Sequence, residues 1–273
     1  MTARIKAVTF DLWDTIMRDD SDEPKRRAAG LVSKKAERRR LVWQALDRRQ
    51  PISRAAVDRA YDAADAAFDK VWREQHMTWV VEDRLRVVLD GLGRTLPAEA
   101  MAALIEAHEG MEMTVRPDPV PGVAEALARL HRRYKLAVVS DAIVSPGRAL
   151  RRLLGGYDFE RYFDAFVFSD EVGRSKPHPL MFETAASALG VTLTEMLHVG
   201  DREHNDIEGP KALGMKTVLF TGTRAAEPGA TAADAVCARH QDLPDVIDRL
   251  AGRSRRRRES PKRKEQWRGG RAS

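Results

Sequence analysis

The 273-residue sequence has a single cysteine, Cys237, so no internal disulfide can form, a composition that suits a reducing cytoplasm. No apolar run approaches the about 18 residues that a membrane-spanning helix requires. The N-terminal MTARIKAVTF has neither the long apolar core nor the small-residue cleavage site of a secretory signal. No internal repeat is present, which argues against a solenoid. Excess positive charge is also missing from most of the chain. The net charge is +6, but residues 253–273, RSRRRRESPKRKEQWRGGRAS, contribute +8 and the rest carries −2. Basicity is therefore a property of a tail without apolar periodicity, expected to be disordered over 252–273. Such a tail reads first as a solubilising terminus; weak contact with polyanions is its functional alternative.

What the chain does contain is a change of rhythm. Residues 4–10, RIKAVTF, read as a buried strand. From 18 to 114 the pattern is helical and strongly charged: a polar linker, DDSDEP, then helices predicted near 33–49, 53–75, 79–91 and 97–112, bounded by Pro51, Ser53, Gly91 to Gly93 and Pro97. From 115 on, helices and strands alternate, with KLAVVS, AFVFS, MLHVG and KTVLF as strands and LPDVIDRL as the closing helix. This order predicts an α/β fold, a doubly wound parallel sheet built from 1–17 and 115–251, with the all-helical segment 18–114 inserted after the first strand. In such sheets ligands bind beyond the carboxyl ends of the strands.

Four of those ends, or the loops beside them, hold reactive side chains: Asp11 after the first strand, Ser140 followed by Asp141, Lys176 in GRSKPHP, and Asp201 with Asp206 in GDREHND. Brought into one crevice, three carboxylates would repel one another unless a cation joined them. Hard oxygen donors suit Mg²⁺. With the charge so balanced, one carboxylate can act as a nucleophile toward phosphorus. Lys176 would then neutralise the phosphoryl group, and the Ser140 hydroxyl would donate to one of its oxygens.

Asp11 in FDLWDT, Ser140 in VVSD, Lys176 in SKPHP and the pair Asp201 and Asp206 in GDREHND resemble, in order, the four motifs of the haloacid dehalogenase superfamily. The helical insertion is similar to that family's C1-type cap in position and helicity. The resemblance implies a hydrolase with a Rossmann-like core, most simply a Mg²⁺-dependent phosphatase of a small phosphorylated metabolite working through an aspartyl phosphate. It implies Asp11 as nucleophile and metal ligand, and Ser140, Asp141 and Lys176 as contacts of the phosphoryl group. Asp201 and the Trp13 backbone carbonyl would be further metal ligands. Asp206 would be either a ligand or the partner that orients Lys176.

The match departs at Trp13, where phosphatases of the family carry an aspartate that serves as general acid and base. Losing such a group costs about 10²–10⁴ in rate. Asp14 is the nearest carboxylate; it is a candidate substitute, or else a polar residue bracing the turn. An aromatic at position 13 fits the metal-free dehalogenases of the family, which makes C–halogen hydrolysis through an Asp11 ester an alternative. A catalytically weakened binding protein is a second one. A phosphonatase-like route would need an imine-forming lysine, and Lys34, Lys35 and Lys70 read as solvated helix faces. Phe68, Trp72 and Trp79 form a stripe of helical spacing expected to be core. Trp79, read as starting a helix, is the one expected to contact substrate if any does. His178 and His204 read as loop histidines, and Cys237 as a buried thiol in an edge strand or loop.

Overall fold

The computed structural model of the chain describes residues 4–224 and 231–253. Six parallel strands, β1 (Ala7–Phe10), β2 (Lys135–Ser140), β3 (Ala165–Phe168), β4 (Met196–Gly200), β5 (Lys216–Phe220) and β6 (Ala235–Cys237), form one sheet in the order β3-β2-β1-β4-β5-β6. This is the doubly wound arrangement. The order reverses between β1 and β4, so a crevice opens beyond their carboxyl ends.

Strand residues alternate between two cores. Val8, Phe10, Leu136 and Val138 face one layer with Leu127, Leu130, Leu150, Leu153 and Ile247. Ala7, Ala137 and Val139 face the other with Met181, Phe182, Ala185 and Leu189. The period of two along each strand produces this division, and cover on both faces explains why the central strands are apolar throughout. The helices Val123–His131, Gly147–Gly155 and Leu243–Leu250 supply the first layer, and Pro179–Leu189 the second.

Between β1 and β2 lie helices only, with a third core of their own that includes Val42, Leu46, Val57, Tyr61, Leu85, Val88 and Leu104. Val57, Tyr61, Ala64 and Phe68 are buried at spacings that keep to one face of Arg54–Gln75. Ser33 and Ser53 cap their helices by accepting the amides of Ala36 and Ala56 at 3.2 Å each. The observed helices are Lys34–Asp47, Arg54–Gln75, Val81–Gly91 and Ala98–Glu109, close to the predicted ones. Three details differ. The supposed linker ends in a helix, Glu23–Ala28, where a proline at the first turn favours the start. Trp79 precedes a helix rather than starting one. A glycine, Gly110, separates a last short helix, Met111–Thr114, from the one before it.

The two chain crossings between helical segment and sheet run side by side. Met17 bridges Pro119 in antiparallel fashion, and the Arg18 amide donates to the Asp118 carbonyl at 2.8 Å. The segment also touches the sheet's loops: the Ser175 amide donates to the His76 carbonyl at 2.9 Å, and Thr78 Oγ1 to Ser169 Oγ at 2.7 Å. The basic stretch from residue 254 on, and with it the expected polyanion contact, lies outside the described residues. No described helix is long and apolar enough to cross a membrane.

Leu130 is fully buried under β1 and β2. Leu130→Ala is expected to cost about 2–5 kcal/mol through lost burial and a cavity. Thermal unfolding should register this as a fall of several degrees in Tm.

Candidate active site

β1 ends at Phe10, and Asp11 keeps the ladder for one more step, its amide donating to the Val199 carbonyl at 2.9 Å. The chain then turns sharply. Ile16 and Met17 both donate to the Leu12 carbonyl, and Asp14 adopts a left-handed conformation with φ of 54°. Aspartate tolerates that region better than most residues. The turn packs Leu12 into the core and leaves Asp11, Trp13 and Asp14 along a cavity of about 210 Å³. Ser140, Asp141, Lys176, Asp201 and Asp206 line the same cavity. The helical segment closes it from the other side with Lys34, Arg38, Trp72 and Glu112.

At its floor Lys176 Nζ donates to Asp11 Oδ1 and to Asp206 Oδ1, each at 2.6 Å. All three side chains are buried. Burial alone would lower the lysine's pKa, but the negative Asp11, Asp206 and Asp141 outweigh it and raise it, so the ammonium persists. Burial pushes Asp11 up, against the pull of Lys176. Asp206 moves the opposite way: the penalty of burial is exceeded by Lys176 and by a hydrogen bond from His198, which hold it below the usual carboxylate range.

Asp206 uses both its oxygens on the protein. Oδ1 also accepts from His198 Nε2 at 3.2 Å, and Oδ2 accepts from the Arg202 amide at 3.0 Å. His198 is held neutral-side by burial, and its Nδ1 accepts from Thr9 Oγ1 at 2.8 Å. Gly200 completes the arrangement, because a Cβ there would lie 2.3 Å from Asp206 Cγ. Of the two roles read for Asp206, this bonding favours orienting Lys176.

Asp11, Asp201 and Asp206 present carboxylate oxygens that all lie within 4.8 Å of one another. An all-oxygen set at this separation fits a hard divalent cation. Burial, then the negative Asp11 and Asp206, push Asp201 up to about 8. Arg224 Nε lies 2.9 Å from Asp201 Oδ2. Ser140 Oγ is buried, and no described group hydrogen-bonds to it. A buried hydroxyl with no partner is expensive unless a ligand supplies one.

Other residues fall differently from the sequence reading. The Asp14 carboxylate accepts from the Asp19 amide at 3.2 Å and lies 3.4 Å from Arg224 Nη2, which ties the turn to the loop after β5. This geometry corresponds to the bracing alternative. Trp79 does not line the cavity; its ring packs on Phe68 with centroids 6.0 Å apart, and Trp72 lines the cavity instead. Lys34 is not on a solvated face. It is buried, and its ammonium meets Asp22 at 2.9 Å, Asp20 at 3.2 Å and Glu112 at 3.3 Å. Those carboxylates outweigh burial and raise its pKa, so it is a poor imine-forming amine. Lys70 pairs with Glu74 on an exposed helix face. His204 pairs with Glu208 at 3.3 Å, and His178 caps the helix Pro179–Leu189. Cys237 is buried in the edge strand β6. His198 and Gly200 went unnoticed within MLHVG. The signal was a histidine in an otherwise apolar strand, opposite Thr9 in the parallel register.

The family model described as haloacid dehalogenase-like hydrolase matches residues 5–214. Among curated relatives, the chain is 38% identical over 102 residues to a glyceraldehyde 3-phosphate phosphatase of Pyrococcus abyssi, covering 37% of this chain and 42% of that protein. It is 31% identical over 166 residues to a phosphoglycolate phosphatase of Salmonella typhi, covering 55% of this chain and 62% of that one. The matches thus span about half the length of these relatives. Among solved structures, a HAD phosphatase from Thermococcus onnurineus aligns with a TM-score of 0.61 at 24% identity, over 89% of this chain and 98% of that one. A 2-haloacid dehalogenase from Pseudomonas syringae pv. Tomato DC3000 aligns at 0.59 and 23%, over 90% and 99%. At these identities the structural likeness speaks to fold alone.

Asp201 also gives a pH test. Its folded value of about 8 lies above its unfolded value near 3.8, so between the two the folded chain retains a proton that the unfolded chain releases. Its contribution to stability is therefore present below about pH 4 and is lost as pH rises toward 8. Without divalent metal, Asp201→Asn is expected to raise the Tm at pH 8 and change it little at pH 4. An equal effect at both values would contradict the shift.

Proposed function

The chain belongs to the haloacid dehalogenase-like hydrolases, and on that basis we propose that it is a Mg²⁺-dependent phosphatase of a small phosphorylated metabolite. The observation carrying this reading is the set of three carboxylates within 4.8 Å of one another, two of them bridged by the Lys176 ammonium. Phosphatase relatives of known name support it further.

In this reading Asp11, Asp201 and the Trp13 carbonyl hold the metal, with Asp206 beside them. Bound there, Mg²⁺ would neutralise phosphoryl charge and the repulsion among the carboxylates. Asp11 Oδ1 is held by Lys176, while Oδ2 has no protein hydrogen bond among the described residues. That second oxygen attacks phosphorus; the P–O bond to the leaving alcohol breaks, and an aspartyl phosphate forms. Ser140 donates its unpartnered hydroxyl to a phosphoryl oxygen, and Lys176 offsets the charge of the transferring group. Water then attacks the phosphorus and frees Asp11. Residues 18–114 act as the cap, which limits water and shapes the space for the leaving group.

Trp13 cannot deliver a proton, and Asp14 is engaged with Asp19 and Arg224. The leaving oxygen therefore takes its proton from solvent. Esters with acidic leaving groups, such as p-nitrophenyl phosphate, should be favoured over simple alkyl phosphates by about 10²-fold or more in kcat, the scale of the missing acid.

A panel of phosphate esters assayed with Mg²⁺ and with a chelator tests the proposal. Turnover should require the metal, and Asp11→Asn should abolish it while leaving the circular dichroism spectrum intact. Activity that survives chelation would overturn the metal assignment. Trp13 at the cavity wall favours one other reading, C–halogen hydrolysis through an Asp11 ester. Halide release from 2-haloacids, indifferent to chelator, would establish that reading instead.

A further inference from the structure

The helix Lys34–Asp47 opens with a run of cations. Lys34 and Arg38 are four residues apart, hence on one face, and both line the cavity above Asp11. Lys35 is exposed to solvent, while Lys34, Arg39 and Arg40 are matched with carboxylates. Lys34 meets three, Arg39 pairs with Asp62 at 2.6 Å, and Arg40 with Glu37 at 2.5 Å. Arg38 is the exception. Its guanidinium forms no hydrogen bond or ion pair with any described residue, and its Nε is buried without a partner.

The surroundings do not supply an anion. Glu112, the acid that acts most strongly on Arg38, is engaged by Lys34 and by the Ser145 hydroxyl. Asp65 pairs with Arg84 at 2.7 Å. Behind Arg38 lies a smaller space of about 50 Å³ bounded by Tyr61 and His108. There His108 Nδ1 donates to the Leu104 carbonyl at 2.7 Å, and Nε2 accepts from the Tyr61 hydroxyl at 2.9 Å. Burial holds His108 down to about 4, so it is neutral and offers no counter-charge. Arg202, the other cation at the cavity without an ion pair among the described residues, differs because it stands in the field of Asp11, Asp201 and Asp206.

A half-buried guanidinium with no anion is costly in the empty protein and becomes favourable when a ligand brings one. We propose that Arg38 is a specificity-determining residue that pairs with a carboxylate on the leaving-group side of the substrate, which makes the substrate a small phosphate monoester of a hydroxy acid. The planar fork of arginine suits a carboxylate. A second phosphate fits less well, because Asp19, Asp20 and Glu112 line the same 210 Å³ cavity and would repel a dianion. The inference rests on the phosphatase reading for the identity of the reacting group.

Calorimetric titration with two non-hydrolysable probes in the presence of Mg²⁺ tests it. Phosphonoacetate carries the extra carboxylate and methylphosphonate lacks it. The full-length protein should prefer phosphonoacetate by about ten- to a hundredfold, the range of a charge-assisted hydrogen bond. In Arg38→Met that ratio should fall to within about twofold of unity, and Arg38→Lys should recover part of it. Equal affinity for both probes in the unsubstituted protein, a ratio that survives Arg38→Met, or failure of both to bind would overturn the assignment. Turnover of p-nitrophenyl phosphate in the same preparation separates the two readings. Turnover without a carboxylate preference overturns the Arg38 assignment alone, and a preference without turnover overturns the phosphatase reading alone.

Discussion

The position of the Lys176 ammonium between Asp11 and Asp206 is the constraint on which the rest of the site depends. Three carboxylates gathered within 4.8 Å in a buried crevice would otherwise protonate or force water in. One cation shared by two of them at 2.6 Å each holds Asp206 ionised and opposes the burial that pushes Asp11 up. Asp206 is held in place by further hydrogen bonds, to Oδ1 from His198 and to Oδ2 from the Arg202 amide. His198 reaches it from the same strand that ends at Gly200, and the absent side chain of Gly200 makes room for its carboxylate. A buried ion pair of this kind is weak evidence for stability, since both charges are desolvated; its consequence is geometric order.

Asp201 is poised differently. It has no ion pair with Lys176 among the described contacts, and its raised pKa reflects burial beside two negative neighbours. A divalent cation would remove that conflict, whereas the guanidinium of Arg224 relieves it in part. The same loop residue reaches Asp14, so the turn after β1 and the loop after β5 are joined by one side chain across the mouth of the crevice. The helical segment closes the cavity from the other side. Of its two cations on the cavity wall, Lys34 is balanced by Asp20, Asp22 and Glu112, whereas Arg38 has no ion pair among the described residues.

Much of the fold was legible in the chain. The alternation of helices and apolar strands after residue 115 implies a parallel sheet, and the predicted strands KLAVVS, MLHVG and KTVLF appear as β2, β4 and β5. Strand ends bearing Asp11, Ser140 and Asp201 were visible because a polar residue closing an apolar run is conspicuous. Lys34 and Arg38 were not. In KKAERRR every residue but Ala36 is charged, so no apolar periodicity marks which face turns inward, and only the acids of distant segments, Asp22 and Glu112, show where Lys34 is buried. Trp72 and Trp79 were interchanged for a related reason. Helical spacing places both near one stripe, but the helix ends at Gln75 and a left-handed His76 redirects the chain, so Trp79 returns to pack on Phe68.

The sequence by itself determined the fold class, the family and the set of chemical groups available, because these follow from local periodicity and from residue types placed at strand ends. Tertiary structure decided how those groups share their charges: that Asp206 turns to Lys176 and His198, that Asp14 braces a turn, and that Arg38 is left without a partner among the described residues. Such outcomes depend on distances between residues far apart in the chain. The energies involved change steeply over an ångström or two and with burial, and no local pattern encodes either.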